Sequence, residues 1–206
     1  HGDTPQIDTP HSRRRVSLSD YEWADLIDDT DKIRALVDPT SAYAKNAAAA
    51  MNRAMDDVVI AAINGSASTG VAGAGNQTLP STQKFATSNQ SDGLTIAKLL
   101  AAKKNFDTND IDPSRKRFLV CGPQQVADLL AVTEVTSADF NTVKALAQGD
   151  INSFLGFEFI MSNRLPFDAT NGDDRLTFAY TEDAIKLAIG KDVSAQISER
   201  ADKSYS

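Results

Sequence analysis

Three observations predict an α+β fold. One long amphipathic stretch carries its own start and stop signals, short apolar runs end at Gly-Pro or Pro, and helix alternates with strand through the second half. The long stretch is Asp38 to Gly65, DPTSAYAKNAAAAMNRAMDDVVIAAING. Asp38 can cap a helix, Pro39 suits its first position, and Asn64-Gly65 supplies the left-handed stop. Tyr43, Ala47, Met51, Met55, Val58 and Ala62 recur at helical steps, while Lys45, Asn52, Arg53, Asp56 and Asp57 fall mostly on the other side. A helix from Pro39 to Asn64 spans roughly 39 Å at about 1.5 Å per residue. A rod of that length is expected to lie on a sheet. Its alanines bury little area, so larger side chains elsewhere must supply the core.

Before this helix, Val16 and Leu18 alternate with Ser17 and Ser19 as a short strand does, and residues 1–20 read as an extended arm or hairpin. Arg13, Arg14 and Arg15 form the one dense basic cluster, and Asp25, Asp28, Asp29 and Asp31 follow closely. These charges either pair locally, stay solvated, or meet the complementary patch of another copy. Tyr21, Trp23, Leu26 and Ile27 give the segment apolar anchors. After the helix, residues 65–93 are small and polar without periodicity and read as a long loop.

Residues 94–105 repeat apolar positions at Leu94, Ala97, Leu100 and Ala101, giving a second helix. DTNDIDPS at 107–114 is a turn-rich link into Arg117–Cys121, a buried strand stopped by Gly122-Pro123. Gln124–Val132 is a third helix, and residues 139–149 suit a fourth. Phe157, Phe159 and Met161 alternate with Glu158 and Ile160 in a strand that ends by Pro166. A hairpin-type loop with Asn171-Gly172 leads into a returning strand at 176–180. Thr181–Ala188 is expected to form a short helix closed by Gly190, and Ser194–Ser198 a last strand.

With 41% apolar and 24% charged residues, the 206-residue chain can build a real core. No apolar run is long enough to span a membrane. A start at His1 instead of Met suggests a processed protein or part of a longer chain. Cys121 is the single cysteine, so packing alone must hold the fold. The net charge of −7 argues against a dedicated nucleic-acid binder, whose affinity rests on Lys and Arg at phosphates.

No catalytic set stands out. His1 and His11 both lie in the arm, Cys121 has no histidine near it in sequence, and Gly70, Gly73 and Gly75 lack the Lys-Ser or Lys-Thr of a phosphate loop. Two acidic clusters, Asp28-Asp29-Asp31 and Asp107-Asn109-Asp110-Asp112, miss the calcium-loop template, and capping or turn formation explains the second better. A long helix, a charged arm and no catalytic set favour assembly over catalysis.

The succession resembles the major capsid protein of tailed bacteriophages, a fold shared with encapsulin nanocompartments and the herpesvirus capsid floor. The residues that carry the resemblance are HSRRRVSLSDYEWADLIDDTDKIRALVDPTSAYAKNAAAAMNRAMDDVVIAAING, RFLVCGPQQVADLL, GDINSFLGFEFIMSNRLP and LTFAYTEDAIKLAIGKDVSAQISERADKSYS. It implies the phage major capsid protein fold. Residues 1–35 form the E-loop, an extended hairpin arm, and 36–93 a peripheral domain with a spine helix and long loop. Residues 94–180 form mostly the axial domain, and 181–206 return to the peripheral domain. Arg13, Arg14, Arg15, Trp23, Asp28 and Asp29 become candidate subunit-interface residues.

The resemblance further implies a self-assembling, non-enzymatic subunit without cofactor or metal. Its partners are hexamers and pentamers of itself and scaffolding, decoration and portal proteins. The icosahedral shell encloses double-stranded DNA without sequence-specific binding; it is a virion component assembled in the host cytoplasm. Relatives that carry a segment before the E-loop fit a truncated or matured chain here. Relatives that crosslink use a Lys on the E-loop; the first Lys here is Lys32, beyond the arm's tip, so crosslinking is not carried over. An acidic subunit suits a shell whose DNA must leave again. The alternatives are an encapsulin-like compartment with a cargo groove, and an enzyme with a metal at Asp28, Asp29 and Asp31.

Overall fold

Phe157, Leu99, Leu129 and Cys121 are the largest fully buried side chains among the described residues, and all lie beyond residue 93. The computed structural model describes residues 11–26, 40–85, 93–131, 153–168 and 174–196. Within them the order is β1 (Arg14–Arg15), α1 (Thr40–Asn64), β2 (Ser66–Thr69), β3 (Gly75–Thr78), a 3-10 turn (Ser81–Gln83), α2 (Ile96–Thr108), β4 (Arg117–Cys121), α3 (Pro123–Ala131), β5 (Ser153–Phe154), β6 (Phe157–Met161) and β7 (Phe178–Thr181). The fold is α+β, with two sheets in the orders β1-β2-β3 and β5-β6-β4-β7.

The larger sheet is built on β4. Its run RFLVC is buried at four of five positions, as a central strand covered on both faces must be. It runs parallel to β6, with Leu119 opposite Phe159, and antiparallel to β7, with Phe118 opposite Tyr180. Leu119, Phe154 and Phe157 join Leu94, Leu99, Ala102 and Leu129 in one core cluster, so helices α2 and α3 contribute to the same core as the sheet. The rings of Phe118 and Tyr180 pack 5.4 Å apart.

Local chemistry fixes the helices. Thr95 caps α2, its hydroxyl accepting from the Lys98 N–H at 3.4 Å. Pro123 opens α3, and the buried Gln125 side chain reaches back to accept from the Gly122 N–H at 3.0 Å, the logic of a capping box. Arg117, 7% exposed, joins the end of α2 to β4. It pairs with Asp107 at 2.9 Å and lies over the Phe106 ring at 5.4 Å, while its Nε has no partner. Leu155 and Gly156 form the two-residue turn between β5 and β6, with φ of 53° and 87°. Leu155 adopts this left-handed backbone while packing against the core.

Several sequence expectations are corrected. Residues 65–93 are not wholly a loop: β2 and β3 form a hairpin in which every β3 side chain is exposed, so pairing by backbone alone left no apolar period to read. The arm's strand is Arg14–Arg15, not Val16–Leu18, because β2 pairs with the arginines. The strand ending at Thr181 pairs with β4, not β6. The chain does narrow into a hairpin neck, where the Asp168 N–H donates to the Asp174 carbonyl at 2.7 Å and Phe167 bridges Arg175. No helix forms over 181–188. The Glu182 N–H goes instead to the Lys116 carbonyl, and Asp183 pairs with Arg115 at 3.2 Å. Residues 194–196 form no strand. Finally, α1 does not lie buried on a sheet: no described side chain along it is buried. The Asp38-Pro39 cap, the 139–149 helix, Asn171-Gly172 and the rest of the last strand lie outside the described residues.

Two outcomes follow from the core. Phe157→Ala lowers the unfolding free energy by about 3–5 kcal/mol, read as a lower urea midpoint. Burial pushes the Cys121 thiol from 9.0 to about 11. The unfolded thiol ionises first, so native stability falls as pH rises between those values. The loss, on the order of 2 kcal/mol, disappears in Cys121→Ala when urea midpoints of both proteins are compared across that range.

Candidate subunit-contact surface

Of the six predicted interface residues, four lie among the described ones: Arg13, Arg14, Arg15 and Trp23. Arg14 and Arg15 turn inward to the chain's own hairpin. β1 pairs antiparallel with β2, setting Arg14 opposite Thr69 and Arg15 opposite Ser68. The Arg13 carbonyl accepts from the Gly70 N–H at 3.3 Å. Arg14 Nη2 donates to Gln77 Oε1 at 3.1 Å, and Arg15 Nη1 to the Ala72 carbonyl at 2.9 Å. Gly73 has φ of 69°, and a Cβ there would meet the Arg15 side chain at 2.6 Å, so a glycine lets the guanidinium reach the turn. Two of the three arginines thus brace the arm against β2 and β3. Arg13 and Trp23 are exposed. Asp28 and Asp29 lie outside the described residues, as does Asp31.

Beyond Arg15 the segment changes character. Val16 is 66% and Leu18 63% exposed, and Tyr21, Trp23 and Leu26 continue the exposed apolar series. Leu18 lies against Gly190, where a Cβ would meet its Cδ1 at 2.6 Å. Leu187, Ile189 and Val193, on that second segment, are exposed too. Large apolar groups gathered on neighbouring segments mark a contact surface better than single exposed residues do. Sequence reading caught the Val16 and Leu18 alternation as a strand signal. It missed Leu187 and Ile189, assigned to a helix and its end, because their exposure depends on that helix not forming, and Val193, which lay between that helix and the expected last strand.

A second feature lies where α1 meets the turn after β6. Arg164 Nε and Nη2 donate to the two carboxylate oxygens of Asp57, a bidentate pair. The hydrogen bonds from Arg164 hold the Asp57 carboxyl below the usual carboxylate range, and Asp57 in turn raises Arg164. Below the pair is a shallow, open cleft of about 350 Å³, lined by Asp57, Ile60, Ala61, Asn64, Gly65, Arg164 and Pro166.

Among the described residues no group of acidic, His or Cys side chains has the arrangement of a metal site. In the 107–112 cluster, Asp107 is the partner of Arg117, Asp112 Oδ1 accepts from the Ser114 N–H at 2.9 Å, and Asn109 Nδ2 donates to the Asn105 carbonyl at 2.8 Å. That bond to Ser114 lowers the Asp112 carboxyl from its ordinary value. The cluster does the work of a turn and a helix end. No described helix is long and apolar enough to cross a membrane.

No curated protein matches the chain. Among solved structures it is similar to one from Mycobacterium phage Che8, 22% identical over 76% of this chain and 51% of that one, with a TM-score of 0.50. It is also similar to the capsid structure of the cyanophage P-SCSP1u, 20% identical over 74% and 50% of the two chains, with a TM-score of 0.46. The chain therefore spans about half the length of each. The model of the family described as phage capsid protein matches residues 1–206 in full. This chain belongs to the phage capsid protein family.

Proposed function

We propose that the chain is the major capsid subunit of a tailed bacteriophage, a structural protein that closes with copies of itself into an icosahedral shell around double-stranded DNA. The observation that carries this reading, beyond family membership, is the apolar surface of Val16, Leu18, Leu187, Ile189 and Val193, which the chain leaves open. In this reading residues 1–35 are the E-loop and overlap a neighbouring subunit. Arg14 and Arg15 hold its base, while Arg13, Val16, Leu18 and Trp23 meet the neighbour, with Asp28 and Asp29 as further contacts.

The division into domains has support in the sheets. Helix α1 and the sheet β1-β2-β3 fall before residue 93, in the proposed peripheral domain and arm, and α1 serves as its spine helix. The sheet β5-β6-β4-β7 falls within 117–181, in the proposed axial domain. Residues 181–206 return to the periphery, consistent with Gly190 beside Leu18. The subunits form hexamers and pentamers in the host cytoplasm, with scaffolding, decoration and portal proteins as further partners. The net charge of −7 suits a wall that confines DNA without gripping it in a sequence-specific way.

Mass photometry and negative-stain microscopy of the full-length protein at neutral pH test this reading. Closed particles or capsomer rings are expected; a protein that stays monomeric in full length overturns it. Val16→Asp combined with Leu18→Asp is expected to keep the native circular dichroism and thermal midpoint and to abolish assembly. Particles as numerous as those of the native protein would remove the arm from the interface.

A further inference from the structure

We propose that Asp57 and Arg164 are positioning residues for shell closure: their ion pair latches helix α1 at a fixed angle to the β5-β6-β4-β7 layer and so sets the curvature each subunit brings. The inference deepens the capsid reading and, for curvature, rests on it. Among the described residues this is the one ion pair between α1 and the rest of the chain.

What makes the pair a latch is the space beneath it. A packed helix is held by many side-chain contacts, and one ion pair then adds little. Here no described α1 side chain is buried, and the open cleft separates the Ile60-Ala61 face from Pro166. The side chains lining the cleft are at most half-buried, so the pair spans a junction that packing fills only in part. Both its ends are well supported. Asp57 sits in a regular 25-residue helix. Arg164 is on a turn held to the sheet: the Ser162 N–H donates to the Cys121 carbonyl at 2.9 Å, Ser162 Oγ accepts from the Arg164 N–H at 3.3 Å, and Arg175 donates to the Asn163 carbonyl.

The helix also has a pivot. Gly65 alone separates α1 from β2, and the 3-10 turn that follows the β2–β3 hairpin is tied to α2 by Asn105 Nδ2 donating to the Thr82 carbonyl at 3.1 Å. Among the ion pairs of the described residues, the one at Asp57 opposes movement about Gly65. From the pivot at Gly65 to the start of α1 is roughly 38 Å at about 1.5 Å per residue. A swing of about 5° about that pivot thus displaces the far end by about 3 Å, enough to misalign a close-packed contact between subunits.

Acid sensitivity follows from the groups around the carboxylate. The charged groups facing the pair are Asp57, Arg164 and Asp56, the last also favouring the Arg164 cation. The other cleft residues are uncharged. Because the Asp57 carboxyl lies below its ordinary 3.8, the pair is complete above that value and is lost only as pH falls through the lowered one.

Spin labels at Asn46→Cys on α1 and Met161→Cys on β6, in the full chain, report the angle as a distance distribution; buried Cys121 stays unlabelled. The native pair is expected to give one narrow distribution, unchanged between pH 7 and pH 5. Asp57→Asn and Arg164→Gln broaden it at an unchanged thermal midpoint, and the swap Asp57→Arg with Arg164→Asp narrows it again. A distribution in both single variants as narrow as the native one overturns the latch. In assembled particles, the single variants are expected to widen the spread of shell diameters by cryo-microscopy, and native uniformity overturns the role in curvature. Failure of the native chain to assemble would count against the capsid reading alone, since the distances still read the latch. If the single variants do not fold, the swap decides: a narrow distribution supports the latch, and a broad one overturns it.

Discussion

The structure depends on one strand being covered on both faces. β4 is short, yet Leu119, Val120 and Cys121 are buried, and α2, α3 and the flanking strands are arranged around it. A strand in this position needs apolar residues at successive positions, not alternating ones, and RFLVC meets that need with a single charge at its edge. The charge is accommodated, not excluded. Arg117 keeps its guanidinium beside Asp107 and the Phe106 ring, at the end of α2 where a cation also suits the helix dipole. The rings of Phe106 and Phe157 meet 6.0 Å apart, so the same contact that shields Arg117 continues into the core.

That solution leaves the described residues up to Phe85 without a buried core of their own. The α1 helix has the alanine-rich composition of a good helix former, but isolated helices gain little stability in water and take most of it from packing. Here the described side chains reach at most partial burial. The β1-β2-β3 sheet is similarly built from backbone hydrogen bonds and small polar side chains. Contact with other copies would cover such elements and give them the burial they lack within the chain. A protein made for a shell can thus divide its stability, with one layer that stands alone and another completed on assembly.

How much of this was legible depended on where each signal resides. The three helices and strands β4 and β6 carry periodicity, Gly-Pro or Asn-Gly stops and capping residues within their own sequence, and they were read nearly to their ends. The hairpin β2–β3 was hidden because its strands carry small polar side chains with no apolar period, and its ladder is made by the main chain. The helix expected after Thr181 failed because Asp183, a good starter in isolation, is engaged with Arg115 and Lys186. For the candidate site, the basic cluster was visible but its direction was not: whether an arginine points at a neighbour or at its own hairpin is decided by register. The Asp57–Arg164 pair was beyond reach, since 107 positions separate its members and neither residue is unusual in its own surroundings.

Joining a rigid layer to a long helix through a polar pair has a physical advantage over packing. Interdigitated side chains have few alternative arrangements, so a packed junction holds one angle or shifts abruptly to another. A half-exposed bidentate ion pair keeps its geometry when undisturbed, yet it can be loosened at modest cost because water solvates its separated partners. A closed shell places one sequence in slightly different surroundings, and subunits there need a preferred angle more than an immovable one. An ion pair over an open cleft supplies that combination, whereas a buried contact at the same place would fix the angle at the expense of the range.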